Sequence, residues 1–282
     1  MNSPNYHQSD DACKNFLTKN LPHYHIVHLN NNIKTPGRVN RNEEFPYLGI
    51  TEYLKDKSVL DIGALDGVLS FNSERFGAKN ILSIDVEDPK DYDWGYDGPT
   101  KPYQNIGEVK NKIFFELKEF FNSNVKRKKA TVYDLNPNSD GVFDVVIFYG
   151  VLYHLRHPLL SLDKIRAVNS KVLIMETHTN NIDPMIPASV FYLDDVLDKA
   201  DTNWTGASES CLVSWLFDAG YKNVWAEKSP RMRGRQRFIA FTGDKPDFEV
   251  NADHFKQCDG EYLRNVRSKV HELLDGKYIL SK

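Results

Sequence analysis

Two short apolar stretches of the chain end in residue types that move protons. The run FDVVIFY, residues 143–149, is followed at once by Tyr153, His154, Arg156 and His157, and a second run, residues 172–175, by Glu176 and His178. An imidazole of ordinary pKa, near ~6.5, exchanges a proton at neutral pH. His154 or His178 can therefore act as general base toward a hydroxyl, with Glu176 orienting the ring and Tyr153 beside it. The same imidazoles and carboxylate are donors that a metal ion accepts, but no ligand spacing such as HExxH supports a centre, and no metal is expected. His154 has an equally good structural reading as a packing and hydrogen-bonding residue of a strand-helix turn.

A second constellation lies earlier. The segment VLDIGALDG puts Asp61, Gly63, Asp66 and Gly67 into one turn between an apolar run and an amphipathic one. Glycines let backbone approach a ligand closely, and N–H groups at such a turn are oriented to bind it. The two carboxylates repel a pyrophosphate and attract a sulfonium or an ammonium group. Asp85 follows about 20 residues on, at the end of the next apolar run, where a carboxylate accepts hydrogen bonds from ribose hydroxyls. The turn lacks GxGxxG, which argues against a dinucleotide oxidoreductase. The plain structural reading is a tight turn in which Asp66 caps the following helix.

These residues require elements to position them. A strand is expected from Ser58, then a helix through Phe71 and Phe76, a strand over residues 81–86, and a helix over 106–121 with Val109, Ile113, Leu117 and Phe120 at helical spacing. A strand over 143–149, a helix over 159–168, a strand over 172–175, a helix over 212–219 ending at Gly220, and closing strands at Val224 and 238–241 complete the series. Alternating helices and near-continuously apolar strands argue an α/β fold with a mostly parallel sheet covered on both faces. Three stretches fall outside the repeat: residues 1–45, the loop 87–103 and the excursion 177–204. A tail beyond Asp244 carries a further helix with Tyr262, Val266, Val270 and Leu273 on one face. The expected organisation is an N-terminal extension or lid (1–45), a ligand-binding domain (46–243) whose 177–204 insertion contacts the acceptor, and a helical tail (244–282).

VLDIGALDG, ILSIDVED and FDVVIFYGVLYHLRHPL resemble the cofactor-loop, acidic and fourth-strand motifs of class I S-adenosylmethionine-dependent methyltransferases. Within that superfamily, GVLYHLRHPL, TNWTGASESCLVSWLFDAGYKNV and HIVHLNNNIKTPG are similar to the bacterial tRNA wobble-uridine methyltransferase group, over roughly residues 23 to 242. The resemblance implies a Rossmann-like fold with a seven-stranded sheet and S-adenosylmethionine as cofactor. It places Asp61, Gly63 and Gly67 around the methionine moiety, with Asp66 in the same loop, and Asp85 at the ribose. Val132 and Tyr133 would flank adenine, and Tyr149 and Gly150 would underlie the methionine carboxylate and sulfonium. Thr131 departs from the acidic residue many members carry there, and Asp134 lies three residues later. Tyr153 and Arg237 match positions that, in the wobble-uridine carboxymethyltransferase, contact the extra carboxylate of a carboxylated cofactor. The lysine of that enzyme's N-terminal segment has no counterpart in PHYHIVH.

Methyl transfer to a hydroxyl of a small-molecule or glycan acceptor is the favoured expectation, with His178, His154, Glu176 and Tyr153 as catalytic candidates and Arg237, Trp204 and His25 contacting the acceptor. The alternative is tRNA wobble-uridine carboxymethyl transfer. The chain's 36 Lys and Arg against 39 Asp and Glu, net charge -3, give little drive toward RNA, and the basic run 126–129 reads as a solvated face ahead of the third strand. The 3 cysteines lack CxxC spacing and no run spans a bilayer, so a reducing cytoplasmic setting is expected, as monomer or homodimer, without membrane association.

Overall fold

The computed structural model of the chain describes residues 7–94, 106–193, 196–200 and 202–276. The part of the 87–103 loop from residue 95 on lies outside them. By internal contacts the chain divides into two units, the first made of Met1–Tyr92, Pro99–Leu135 and Phe143–Ile147, the second of Asp93–Gly98, Asn136–Val142 and Phe148–Lys282.

In the first unit, α1 (Asp10–Leu17) begins where the Ser9 hydroxyl accepts the Ala12 N–H at 3.2 Å, with Asp10 and Asp11 in the first turn where the helix dipole favours them. Strands β1 (His25–Ile26) and β2 (Val39–Asn40) pair in parallel, and α2 (Glu44–Leu48) follows. Then come β3 (Ser58–Ile62), α3 (Val68–Arg75), β4 (Lys79–Asp85), α4 (Ile106–Phe121), β5 (Lys126–Lys129) and β6 (Phe143–Tyr149), the last running on into the second unit. Residues Val59 to Ile62 are buried throughout, as a strand covered on both faces requires. Neighbours β3–β4 and β4–β5 are parallel. Gly67 opens α3 with φ 83°, and a Cβ there would lie 2.6 Å from the Phe114 ring of α4. Only glycine lets α4 close on the start of α3 in this way.

The basic run is itself the strand β5, not a surface ahead of it. At the edge of the sheet the charges of Lys126 and Lys129 face solvent, whereas the Arg127 side chain is buried.

The second unit holds α5 (Pro137–Asp140), α6 (Pro158–Ala167), β7 (Asn169–His178), β8 (Ser189–Phe191), β9 (Thr205–Ala207), α7 (Glu209–Asp218), β10 (Asn223–Lys228), β11 (Arg235–Phe241), β12 (Lys256–Gln257) and α8 (Gly260–Leu274). β11 pairs antiparallel with both β7 and β10, and β10 with β12. β8 and β9 form a separate antiparallel hairpin from the excursion. Strand order in the large, mostly parallel sheet is β12-β10-β11-β7-β6-β3-β4-β5. It has eight strands because the two-residue β12 extends the edge beyond the expected seven. In α8, Tyr262 and Val266 are buried, and Asp259 caps the helix by accepting the Glu261 and Tyr262 N–H groups. Among the described residues no helix is long and apolar enough to cross a membrane.

Candidate functional site

The glycine turn after β3 is organised around Asp85 at the end of β4. Gly63 has φ 71° and donates its N–H to the Ile84 carbonyl at 2.9 Å. Leu65, at φ 53°, aims its N–H at Asp85 Oδ2 over 2.6 Å. Lys110 Nζ approaches Asp85 Oδ1 at 3.3 Å and the Tyr92 hydroxyl at 2.8 Å. Burial opposes the Lys110 charge, but Asp85 and Tyr92 outweigh it and raise its pKa. Arg127 donates to the Leu65 carbonyl at 3.0 Å, and its Nη2, buried with no hydrogen-bond partner among the described residues, lies 3.6 Å from Asp85. Asp85 is thus a fixed acceptor flanked by cations, which suits the hydroxyl pair of a nucleoside ribose. Lys110, Arg127 and Tyr92 are not evident from motif matching. Lys110 does carry a signal, since it stands in the apolar stripe of α4 three residues before Ile113, and a charge on a buried face requires a partner.

The two carboxylates of the turn are less available than their spacing suggests. Asp61 accepts from the Ser70 hydroxyl at 2.6 Å, and burial pushes its pKa up to about 6. Asp66 does not cap α3, whose N-cap is Gly67. Its carboxylate instead receives the His25 backbone N–H at 2.9 Å and the His25 ring Nδ1 at 2.6 Å. Burial would raise the Asp66 pKa, but the His25 contacts hold it below the usual carboxylate range. His25 therefore ties the N-terminal segment to the glycine turn, a pairing 41 residues apart that the sequence did not reveal.

After β5, Val132 is buried and Tyr133 partly exposed in a single 3-10 turn, Val132–Asp134. Asp134 folds back so that its Oδ2 accepts the N–H and hydroxyl of Thr131, each at 2.8 Å. A carboxylate thereby stands at the position where Thr131 itself supplies none. Thr131 and Asp134 line an open cavity of about 400 Å³ with Asp91, Lys129 and Ala130.

In the second unit, β7 and β11 bring four charged or titratable side chains together, because the register sets Arg235 opposite His178 and Arg237 opposite Glu176. Glu176 is engaged by two guanidinium groups and a hydroxyl. It is fully buried, with Arg237 Nε at 3.3 Å, Arg235 Nη1 at 3.6 Å and the Ser229 hydroxyl donating at 3.2 Å. Arg237 is also fully buried, its Nη1 donating to Glu227 at 3.1 Å. The guanidinium that reaches Tyr153 is Arg235, which sequence reasoning missed: it donates to the Tyr153 hydroxyl at 2.7 Å and stacks on the ring at 4.9 Å. Gly150, at φ 70°, leaves room for it, since a Cβ there would lie 3.1 Å from Arg235 Nη1. Tyr149, which precedes it, ends β6 partly exposed.

His178 ends β7 with Nε2 at 3.0 Å from the Tyr192 hydroxyl. Burial, and then the Arg235 charge, lower its pKa, so the ring is neutral under ordinary conditions. His154 places Nδ1 at 3.0 Å from the Thr202 carbonyl. A carbonyl only accepts, so this nitrogen carries the proton. Trp204 anchors its loop: its indole N–H donates to the Asp93 carbonyl at 2.7 Å, its backbone N–H to the Tyr153 carbonyl at 2.8 Å, and Arg156 lies 5.0 Å over its ring. Among the described residues no group of three or more His, Cys, Asp or Glu is arranged to hold a metal ion.

No family model matches the chain. Curated relatives are a tRNA U34 carboxymethyltransferase of Actinobacillus pleuropneumoniae serotype 3 (strain JL03), 26% identical over 208 residues, and one of Helicobacter pylori (strain G27), 25% identical over 223 residues. These matches cover 72% of this chain and 55% of the first relative, and 73% of this chain and 73% of the second. The chain therefore spans little more than half the length of the first relative. Among solved structures, the N-terminal domain of EvdMO1, determined in the presence of S-adenosylhomocysteine and D-fucose, superposes with TM-score 0.56 at 15% identity, covering 84% of this chain and 98% of that one. Full-length EvdMO1 gives TM-score 0.52 at 15% identity over 99% of this chain and 61% of that one. The chain has the Rossmann-like class I methyltransferase fold and resembles the tRNA U34 group in sequence.

Proposed function

We propose that this chain is an S-adenosylmethionine-dependent methyltransferase acting on a hydroxyl of a small-molecule or glycan acceptor. The ribose would be held by Asp85, flanked by Lys110 and Arg127, with the backbone of Gly63 to Gly67 beside it and Val132 and Tyr133 toward the base. When bound, S-adenosylmethionine supplies a methyl group already activated by the sulfonium. What remains for the chain is to align a nucleophilic oxygen and remove its proton. His178 takes that proton: it ends β7, and its lowered pKa leaves a ring nitrogen unprotonated at neutral pH. Arg235 and Tyr153 form the polar wall of the acceptor side.

The observation that carries this reading over the alternative is the state of Arg237. The position matched to an extra cofactor carboxylate is sealed between Glu176 and Glu227, and Arg235 and Arg237 already balance those two carboxylates. An added carboxylate would meet guanidinium charges already matched by Glu176 and Glu227. The fold neighbour solved with D-fucose and S-adenosylhomocysteine supports a sugar as the kind of acceptor. Carboxymethyl transfer to tRNA is the second reading. It is favoured by the curated relatives' name and by the contact of Arg235 with Tyr153, a guanidinium-phenol pair suited to a carboxylate.

Native mass spectrometry of the purified protein separates the cofactors by mass, and calorimetry tests the cradle. Asp85→Ala should weaken S-adenosylhomocysteine binding at least tenfold, since charged hydrogen bonds are worth about 1.5–3 kcal/mol. Unchanged affinity rejects the cofactor assignment.

A further inference from the structure

The excursion between β7 and α7 supplies a residue to His178 that no motif pointed to. Tyr192 follows β8 directly, and its backbone N–H donates to the Trp204 carbonyl at 2.8 Å, which fixes the residue against the start of β9. Its hydroxyl reaches His178 Nε2 at 3.0 Å, the two rings meeting edge to face at 5.6 Å. Space for this contact is reserved by Gly206 of β9. A Cβ on Gly206 would stand 2.4 Å from the Tyr192 hydroxyl and 3.0 Å from His178 Cδ2. The strand pairing, the absent side chain at Gly206 and the partly buried phenol all converge on one imidazole nitrogen. The opposite nitrogen, Nδ1, has no hydrogen-bond partner among the described residues and faces Gly234, where a Cβ would be 3.8 Å away.

We propose that Tyr192 is the positioning residue of His178: its hydroxyl accepts the Nε2–H, fixing the tautomer whose bare Nδ1 receives the acceptor's proton. This rests on the reading of His178 as base. The charged and titratable groups around the ring are compatible with it. Arg235 on β11 disfavours the imidazolium, Asp198 in the excursion weakly favours it, and the Tyr153 ring packs at 6.2 Å. Burial raises the Tyr192 pKa, so the phenol stays protonated, and its oxygen keeps lone pairs able to accept from Nε2. In the reverse arrangement the Tyr192 hydroxyl would donate to Nε2, leaving the proton on Nδ1.

Long-range proton-nitrogen NMR of the full chain loaded with S-adenosylhomocysteine reads the tautomer directly, with the His178 signal assigned by its loss in His178→Asn. The expected result is a single Nε2–H tautomer in the parent and a mixture in Tyr192→Phe, which keeps the ring packing and loses only the hydroxyl. Circular dichroism and S-adenosylhomocysteine affinity within twofold of the parent establish that the variant is folded. An Nδ1–H tautomer in the parent, or the same tautomer in the parent and Tyr192→Phe, overturns the proposal. If the tautomer changes while label transfer from S-adenosyl[methyl-³H]methionine to the acceptor hydroxyl stays within twofold of the parent, Tyr192 holds the ring as proposed, and the assignment of His178 as base fails instead.

Discussion

Single residues in this chain are set by partners far away in sequence, and that decides which of them motif spacing could reveal. Asp61, Asp85 and the glycines of the turn stand within one short segment or about one strand apart, so their grouping was legible. Which carboxylate remains available was not, because the Asp66 partner is His25 and the Asp85 partners are Lys110 and Arg127. Arg235 and Arg237 share a strand face, so their order in sequence does not tell which is sealed and which reaches Tyr153; the β7–β11 register does. The buried Asp61 leads to a pH prediction. Its pKa is about 6 in the fold against 3.8 as an ordinary carboxyl. The folded state then binds more protons than the unfolded chain across that interval, so the parent loses stability as pH rises from about 4 to about 6, by up to roughly 3 kcal/mol. Asp61→Asn, which still accepts from Ser70, should gain on the parent over this range. Urea denaturation of both proteins at pH 4.5 and 7.5 measures the difference, and a gap independent of pH contradicts it. For His178 the sign is opposite in consequence: a lowered pKa keeps the base neutral further into acid, so kcat should fall only below about pH 6.5. His178→Asn should lower kcat by about 10² to 10⁴ and abolish that acid limb, with S-adenosylmethionine affinity within a fewfold.

Elements were legible in proportion to their length and periodicity. The helix Ile106–Phe121 and the strand Phe143–Tyr149 have the expected limits, and β7 is longer than its apolar centre because it continues through Glu176 to His178. The short elements left no periodic trace: β12 has two residues, β8 and β9 three each, and they exist through pairing rather than propensity. Helix α1 carries a local signal, Ser9 followed by two acids, that marks its N-terminus. The tail helix α8 docks through Tyr262, whose hydroxyl donates to the buried Glu209 at 3.1 Å while Gln236 donates to the other carboxylate oxygen at 3.1 Å. Tyr262→Phe should cost about 1–2 kcal/mol, read as a lower denaturation midpoint at constant slope. By contrast, Leu274→Ala, at a side chain 77% exposed, should change stability by less than about 0.5 kcal/mol. Equal effects would mean that the helix is not held through Glu209.

At the scale of the whole molecule, alternating apolar strands and helices foretold the α/β class and the mostly parallel sheet. Strand order was not readable, because it depends on which strands lie side by side rather than on any one strand's composition. The acceptor is equally absent from the pattern of elements, since a fold of this kind hosts many substrates and the chemistry belongs to the side chains at the strand ends. Transfer of label from S-adenosyl[methyl-³H]methionine tests the central claim most directly. It is measured over a panel of sugars, glycans and hydroxylated metabolites, beside unmodified tRNA supplied with the carboxylated cofactor. The account predicts label on a hydroxyl of a small acceptor, lost in His178→Asn and in Asp85→Ala. Transfer to tRNA alone, only from the carboxylated donor and undiminished in His178→Asn, would contradict it.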